Sequence, residues 1–303
     1  MSLLRTLALL MLALAACAPP LAAQGLRERL QQVREASRRP AARPAPLPEG
    51  ARALGDIAYG SDPRQRLDVY LPAQPRNAPI LFFVHGGGWA NGNKDNPGVV
   101  EHKAAHWLPK GYVLVSANYR MLPDADPLVQ AQDVAAALAT VQRRAAEWNA
   151  DPARVVLMGH SAGAHLVALI GAAPARWLPR DLPRPLGVVS LDSAAMDVPQ
   201  SMQRPPLPGV YRKAFGSDPA FWESASPWHQ LTGQALPMLM VCSTRRADPC
   251  PQAEAMKTKA AGLGVPMRVL PQALSHGQIN HTLGEASAYT EAVDAYIAGL
   301  LPR

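Results

Sequence analysis

The 303-residue chain is 48% hydrophobic and only 17% charged. That is enough apolar content for a large buried core, which excludes a disordered chain or a small disulfide-stapled one. Its +7 formal charge is unevenly spread: residues 1–50 hold 7 basic and 3 acidic side chains, so the remainder carries only +3, without the clustered charge of a nucleic-acid binder.

Arg5 precedes a run from Thr6 to Ala16 that reads as the charged n-region and short apolar h-region of a secretory signal, too short to span a bilayer. Residues 1–23 are therefore expected to be a signal peptide and the chain to be exported. Leu14-Ala15-Ala16-Cys17 resembles the bacterial lipobox, in which the signal is cut before the Cys and that Cys takes a lipid. Cleavage after Ala18 would set Pro19 beside the scissile bond, and cleavage after Ala23 would place bulky Leu21 where a small residue is wanted. Lipid attachment at Cys17, and with it membrane anchoring, is the expectation. The alternative is a soluble periplasmic or secreted protein whose Cys17 leaves with the signal. Residues 24–50, with frequent Pro and Arg and weak periodicity, read as a tether, and residues 51–303 as one large folded domain.

Within that domain, short apolar runs at Ile80–Val84, Tyr112–Ser116, Val155–Met158, Leu186–Leu191, Met238–Val241 and Met267–Leu270 have strand length and end in turn residues. Helical patterns lie between them. The clearest sets Ala131, Val134, Leu138, Val141, Ala145 and Trp148 on one stripe. Others span residues 162–173, 251–262 and 285–300. Fully apolar strands alternating with helices predict an α/β fold: a mostly parallel central sheet with helices on both faces. The stretch from Ala194 to Leu231, rich in Pro, Gly and aromatics, breaks the alternation and reads as a short lid-like insertion over the C-terminal edge of the sheet.

Two motifs carry chemistry. Gly159-His160-Ser161-Ala162-Gly163 follows a strand and opens a helix, the context of a nucleophile elbow whose glycines spare a tight turn from side-chain collisions. His85-Gly86-Gly87-Gly88-Trp89 directly follows another strand. Acyl transfer builds an oxyanion, and glycine amides can close on it without a side chain in the way. Gly86, Gly87 and Ala162 are the candidate donors. Trp89 is a candidate for the acyl pocket and equally for the core. His85, His160 and His165 read as ordering or packing residues, and Asp133 as a structural ion pair or cap. His102, His106 and His229 lack ligand spacing, so neither metal nor cofactor is expected.

From about Ile57 to Leu301 the chain resembles an α/β-hydrolase of the esterase/lipase group, which includes bacterial carboxylesterases, feruloyl-type esterases and kynurenine formamidases. The matching stretches are HGGGW at residues 85–89, Ser116-Ala117-Asn118-Tyr119-Arg120, the run Gly159–Leu166, and a His followed by Ile279, Leu283 and Gly284. In that fold the triad runs Ser, acid, His along the chain. The resemblance places the base at His276 rather than His281. For the acid it favours Asp248, after the Met238–Val241 strand, over Asp192 and Asp197 near the preceding strand; Ser243-Thr244-Arg245-Arg246 replaces the usual small turn there, and the two arginines could pair with Asp248 and make it structural.

The resulting expectation is a serine carboxylesterase acting on a small-molecule ester through Ser161, His276 and Asp248. An arylformamidase-like amide hydrolase, an acyltransferase, or a binding module on an inactive scaffold are the alternatives. With Cys17 lipidated or lost, Cys242 and Cys250 remain as an even pair in an oxidising compartment. A disulfide between them is expected to hold Asp248 toward His276; the alternative is two free thiols.

Overall fold

A computed structural model describes residues 46–302; the segment expected to be a signal peptide, Cys17 and most of the stretch 24–50 read as a tether lie outside the described residues. Eight strands form one sheet: β1 (Arg52–Ala58), β2 (Arg66–Leu71), β3 (Ala78–Val84), β4 (Val113–Ala117), β5 (Ala150–His160), β6 (Gly187–Leu191), β7 (Met238–Ser243) and β8 (Met267–Gln272). Their spatial order is β1-β2-β4-β3-β5-β6-β7-β8. β2 is antiparallel to both β1 and β4, and every other pairing is parallel.

The helices are α1 (Pro97–Trp107), α2 (Pro127–Arg144), α3 (Ala162–Ala172), α4 (Pro174–Trp177), α5 (Val198–Met202), α6 (Gly209–Phe215), α7 (Pro219–Ser224), α8 (Pro227–Gln230), α9 (Pro249–Gly262), α10 (His276–His281) and α11 (Ala288–Leu300). They cover both faces of the sheet. Side chains alternate across a strand, so on β3 Ile80, Phe82 and Val84 join the core beneath α2, α3 and α9, while Leu81 and Phe83 join the core beneath α1 and α11. Burying a side chain the size of Phe82 contributes roughly 2–3 kcal/mol.

Helix α2 shows how the sequence sets its own boundary. The Asp126 carboxylate accepts from the amides of Leu128 and Val129, Pro127 occupies the first turn, and Ala131, Val134, Leu138 and Val141 are buried on one face. Asp133, on the same helix, takes the Arg120 guanidinium through both Nε and Nη2, at 2.8 and 2.7 Å. That ties the segment after β4 to α2. The predicted insertion is built from the four short helices α5–α8, three of which start with Pro in the first turn. Among the described residues no helix is long and apolar enough to cross a membrane.

Candidate active site

β5 ends at His160 and α3 begins at Ala162, leaving Ser161 to turn the chain between them with φ 57° and ψ −115°. Such a backbone conformation is strained for a residue with a side chain and is found where neighbours over-determine it. The flanking glycines are required by contact. A Cβ on Gly159 would stand 2.4 Å from the Gly163 carbonyl oxygen, and one on Gly163 would stand 2.2 Å from that of Val84. The turn lifts the Ser161 hydroxyl to the C-terminal edge of the sheet, where it donates to His276 Nε2 at 2.9 Å.

His276 is the first residue of α10, whose start is fixed by a capping box: the Ser275 hydroxyl accepts from the Gln278 amide while the Gln278 side chain accepts from the Ser275 amide. Its Nδ1–H donates to Asp192 Oδ2 at 2.6 Å, a tautomer assigned from the carboxylate on that side. Asp192 follows β6 and is fully buried. Its other oxygen accepts from the Ser243 amide at 2.8 Å, and Arg246 Nη1 donates to Oδ2 at 2.7 Å and to the Asp192 carbonyl at 3.2 Å. Burial raises the Asp192 carboxyl, but the hydrogen bonds from His276 and Ser243 and the charge of Arg246 outweigh it and hold the group below the usual carboxylate range.

The acid partner is therefore not where the sequence expectation put it. Asp248 stands before α9 without capping it and pairs with Arg204 at the surface, making no contact with His276. Of the two arginines in that loop, Arg246 turns to Asp192, not to Asp248. Cys242 and Cys250 are disulfide-bonded, with Cα atoms 5.1 Å apart. The residue their loop holds against the His276–Asp192 pair is Arg246.

The glycine loop lies against Ser161: a Cβ on Gly86 would come within 2.9 Å of Ser161 Cβ. Gly87 and Gly88 have φ of 129° and 60°, open to glycine. Among the described residues the amides of Gly86, Gly87 and Ala162 reach no backbone carbonyl in this turn, leaving them free for an oxyanion. The loop is held from behind. His85 Nδ1–H donates to the Gly86 carbonyl at 2.7 Å, the His85 ring stacks on Tyr119, and the Tyr119 hydroxyl donates to the His85 carbonyl at 3.0 Å. This gives the Ser116–Arg120 stretch its place in the site. Trp89 is buried, its indole N–H donating to His165 Nδ1 at 3.2 Å and its ring packing edge-on against Tyr211 and Phe215 of α6. It forms the floor under the insertion.

Burial keeps the neighbouring imidazoles neutral: His160 is pushed down to about 3, and His85 and His165 to about 4. His160 Nε2–H donates to the His276 carbonyl at 2.9 Å, and the two rings lie 4.5 Å apart, so His160 helps seat His276. His281 lies one turn further along α10, over Gly98. Beside the site a cavity of about 470 Å³ is lined by Ala194, Ser201, Arg204, Tyr211, Asp248 and Gln252. Burial, mainly, raises the Tyr211 phenol, whose charged neighbours are Arg246, Asp192 and Arg204. Among the described residues no three His, Cys, Asp or Glu side chains gather as a metal site.

The family model BD-FAE matches residues 67–181. A probable isoprenylcysteine alpha-carbonyl methylesterase of Oryza sativa subsp. japonica is 32% identical over 116 residues, 38% of this chain and 27% of that protein. Kynurenine formamidase of Danio rerio is 32% identical over 118 residues, 39% of this chain and 38% of that protein. The esterase LipC of Mycobacterium tuberculosis is 36% identical over 121 residues, 38% of this chain and 28% of that protein. The crystal structure of esterase B from Lactobacillus rhamnosis superposes with a TM-score of 0.68 at 21% identity, covering 92% of this chain and 94% of that one. The likeness to this solved structure is one of fold: the chain has the α/β-hydrolase fold. The sequence matches span about a quarter to two fifths of the curated relatives' lengths, and the family-model match includes both the glycine loop and the elbow. That family-model match stops short of Asp192, Arg246 and His276, which the structure joins to Ser161.

Proposed function

We propose that the chain hydrolyses a carboxylic ester through an acyl-enzyme, with Ser161 as nucleophile, His276 as base and Asp192 as the acid. The observation that carries this reading is the continuous hydrogen-bonded chain from Ser161 Oγ through the imidazole to a buried carboxylate, beside free glycine-loop amides. Ser161 attacks the carbonyl carbon and passes its proton to His276 Nε2; Asp192 fixes the tautomer and balances the imidazolium. The amides of Gly86, Gly87 and Ala162 take the oxyanion. On collapse the proton moves from His276 to the leaving alkoxide. Water, deprotonated by the same imidazole, then releases the acid and restores the serine.

The esterases among the relatives support an ester as substrate. The formamidase relative gives the one specific reason to carry a second reading, an activated amide. Assaying the full-length protein against p-nitrophenyl esters of increasing chain length, a feruloyl ester and N-formylkynurenine ranks these directly. Added alcohol distinguishes an acyltransferase by outcompeting water. Absence of turnover on all of them, together with no fluorophosphonate labelling of Ser161, refutes the proposal. Export belongs to the same reading, with Cys17 carrying the lipid, and the Cys242–Cys250 disulfide supports an oxidising compartment.

A further inference from the structure

Arg246 is the charged group closest to the proton-transfer chain that the mechanism above leaves without a task. Its Nη1 is committed to Asp192 and comes within 3.0 Å of His276 Nδ1, both donors sharing one carboxylate oxygen. Among the described residues its Nε and Nη2 have no hydrogen-bond partner, and the side chain is 32% exposed whereas Asp192 is sealed. Nε and Nη2 form the edge of a guanidinium that accepts a carboxylate side-on with two parallel bonds. Arg204, the cation lining the adjoining cavity, is already paired with Asp248. The loop that carries Arg246 is short and tied at both ends by the Cys242–Cys250 bond, so the fork is held ready rather than free to sweep solvent.

Its position also bears on turnover. At rest, Arg246 and Asp192 cancel around a neutral imidazole. Once Ser161 passes its proton to His276, the imidazolium has a like charge 3.0 Å from Nδ1. An anion seated on the free edge of Arg246 would relieve that repulsion at the moment the charge develops, an interaction stronger in the transition state than in the ground state. Resting on the ester-hydrolase reading, we propose that Arg246 is a substrate-binding residue and that the preferred ester carries a carboxylate a few bonds from the scissile carbonyl. One imidazole ring separates the guanidinium from Ser161, which sets the reach.

The test compares charged substrates with neutral isosteres in two arms. Mono-p-nitrophenyl succinate against p-nitrophenyl succinamate places the carboxylate in the acyl half; 4-butyryloxybenzoate against 4-butyryloxybenzamide places it in the alcohol half. In one arm the charged ester is expected to lead by roughly ten-fold or more in kcat/KM, partly in kcat. That ratio should fall to near one or below in Arg246→Gln, retain an intermediate value in Arg246→Lys, and shrink with added salt. Because each ratio is taken within one protein, a general loss of activity does not disturb it. On the unmodified protein, succinate should inhibit turnover of a neutral ester and succinamide should not. Equal rates for charged and neutral isosteres in both arms overturn the proposal while leaving the hydrolase reading intact, as does a preference that survives Arg246→Gln. No turnover of any of the four esters overturns both.

Discussion

Replacing Asp192 and Asp248 in turn separates the structural assignment of the acid from the position expected in most members of the fold. Asp192 has no solvent exposure and serves three donors at once: His276 Nδ1, Arg246 Nη1 and the Ser243 amide. In Asp192→Asn one of its two atoms becomes an N–H donor. If the amide nitrogen faces His276, two donors meet and the ring takes the tautomer that cannot accept from Ser161. If it faces Ser243, a buried backbone N–H loses its acceptor. The first alternative implies a fall of about 10³–10⁴ in kcat, or roughly 4–5.5 kcal/mol of transition-state stabilisation. Asp248 offers a contrast: its pair with Arg204 has both side chains more than a third exposed, so Asp248→Asn should cost under about 1 kcal/mol of stability and change turnover by less than roughly three-fold. The assay is kcat/KM on p-nitrophenyl butyrate at pH 8, with a urea unfolding curve for each variant so that loss of folded protein is not read as loss of chemistry. Equal damage from the two substitutions, or more than a tenth of the parent rate in Asp192→Asn, would refute the assignment.

Ser161→Ala should remain folded and lose fluorophosphonate labelling; labelling that persists excludes Ser161 as the nucleophile. Three buried imidazoles, His85, His160 and His165, are held neutral with values of about 4, 3 and 4, below the ~6.5 of the unfolded chain. Below pH 6.5 the unfolded state therefore takes up protons that the native state refuses, and stability should decline steadily toward pH 4. The urea midpoint measured at pH 8, 6 and 5 checks this, and a midpoint unchanged between pH 8 and 5 contradicts the burial of these rings. Cys242→Ser/Cys250→Ser should lower stability by at most roughly 2.5 kcal/mol, because the closed loop is short; activity measured well below the melting temperature should fall further than that of a surface double mutant, since Arg246 loses its fixed position. Cys17→Ser should release the protein from the membrane fraction, and a mature N-terminus beyond residue 17 without acyl mass in the parent would contradict lipid attachment.

The sequence made the central layers of the fold legible because those strands are buried on both faces and read as uninterrupted apolar runs. β1 and β2 escaped that reading for the opposite reason. β1 is an edge strand with mostly exposed side chains, and β2 carries Asp68 inside the protein, where Lys94 pairs with it. Helix α1 was hidden similarly: Lys103 lies within its buried face, donating to Asn280 and standing 4.8 Å from the Phe83 ring. Polar residues satisfied by distant partners break a periodicity that depends on local pattern alone. Ser161 and the glycine loop were legible because their chemistry needs specific neighbours in sequence. The acid needs only a place in space, so its sequence context discriminates poorly between two strand ends.

The sheet order explains how that place moved. Ser161 leaves β5, Asp192 leaves β6 immediately beside it, and the loop after β7 lies one strand further away. The Ser161 amide donates to the Leu191 carbonyl at 2.9 Å and the Asp192 amide to that of Val241 at 2.8 Å, so the three strand ends are stapled in series. An acid on β6 therefore reaches His276 from a position fixed by backbone bonds to both neighbours. The end of β7 and the loop after it are then released from carrying the carboxylate and supply donors to it instead, the Ser243 amide and the Arg246 guanidinium. Ser243 also binds the loop that leads to His276, its hydroxyl donating to the Leu274 carbonyl at 2.6 Å. With the acid on β6, a cation after β7 has an ionised partner waiting. Placed beside a carboxylate at the end of its own strand, the same arginine would have competed with the imidazole instead of bracing its partner.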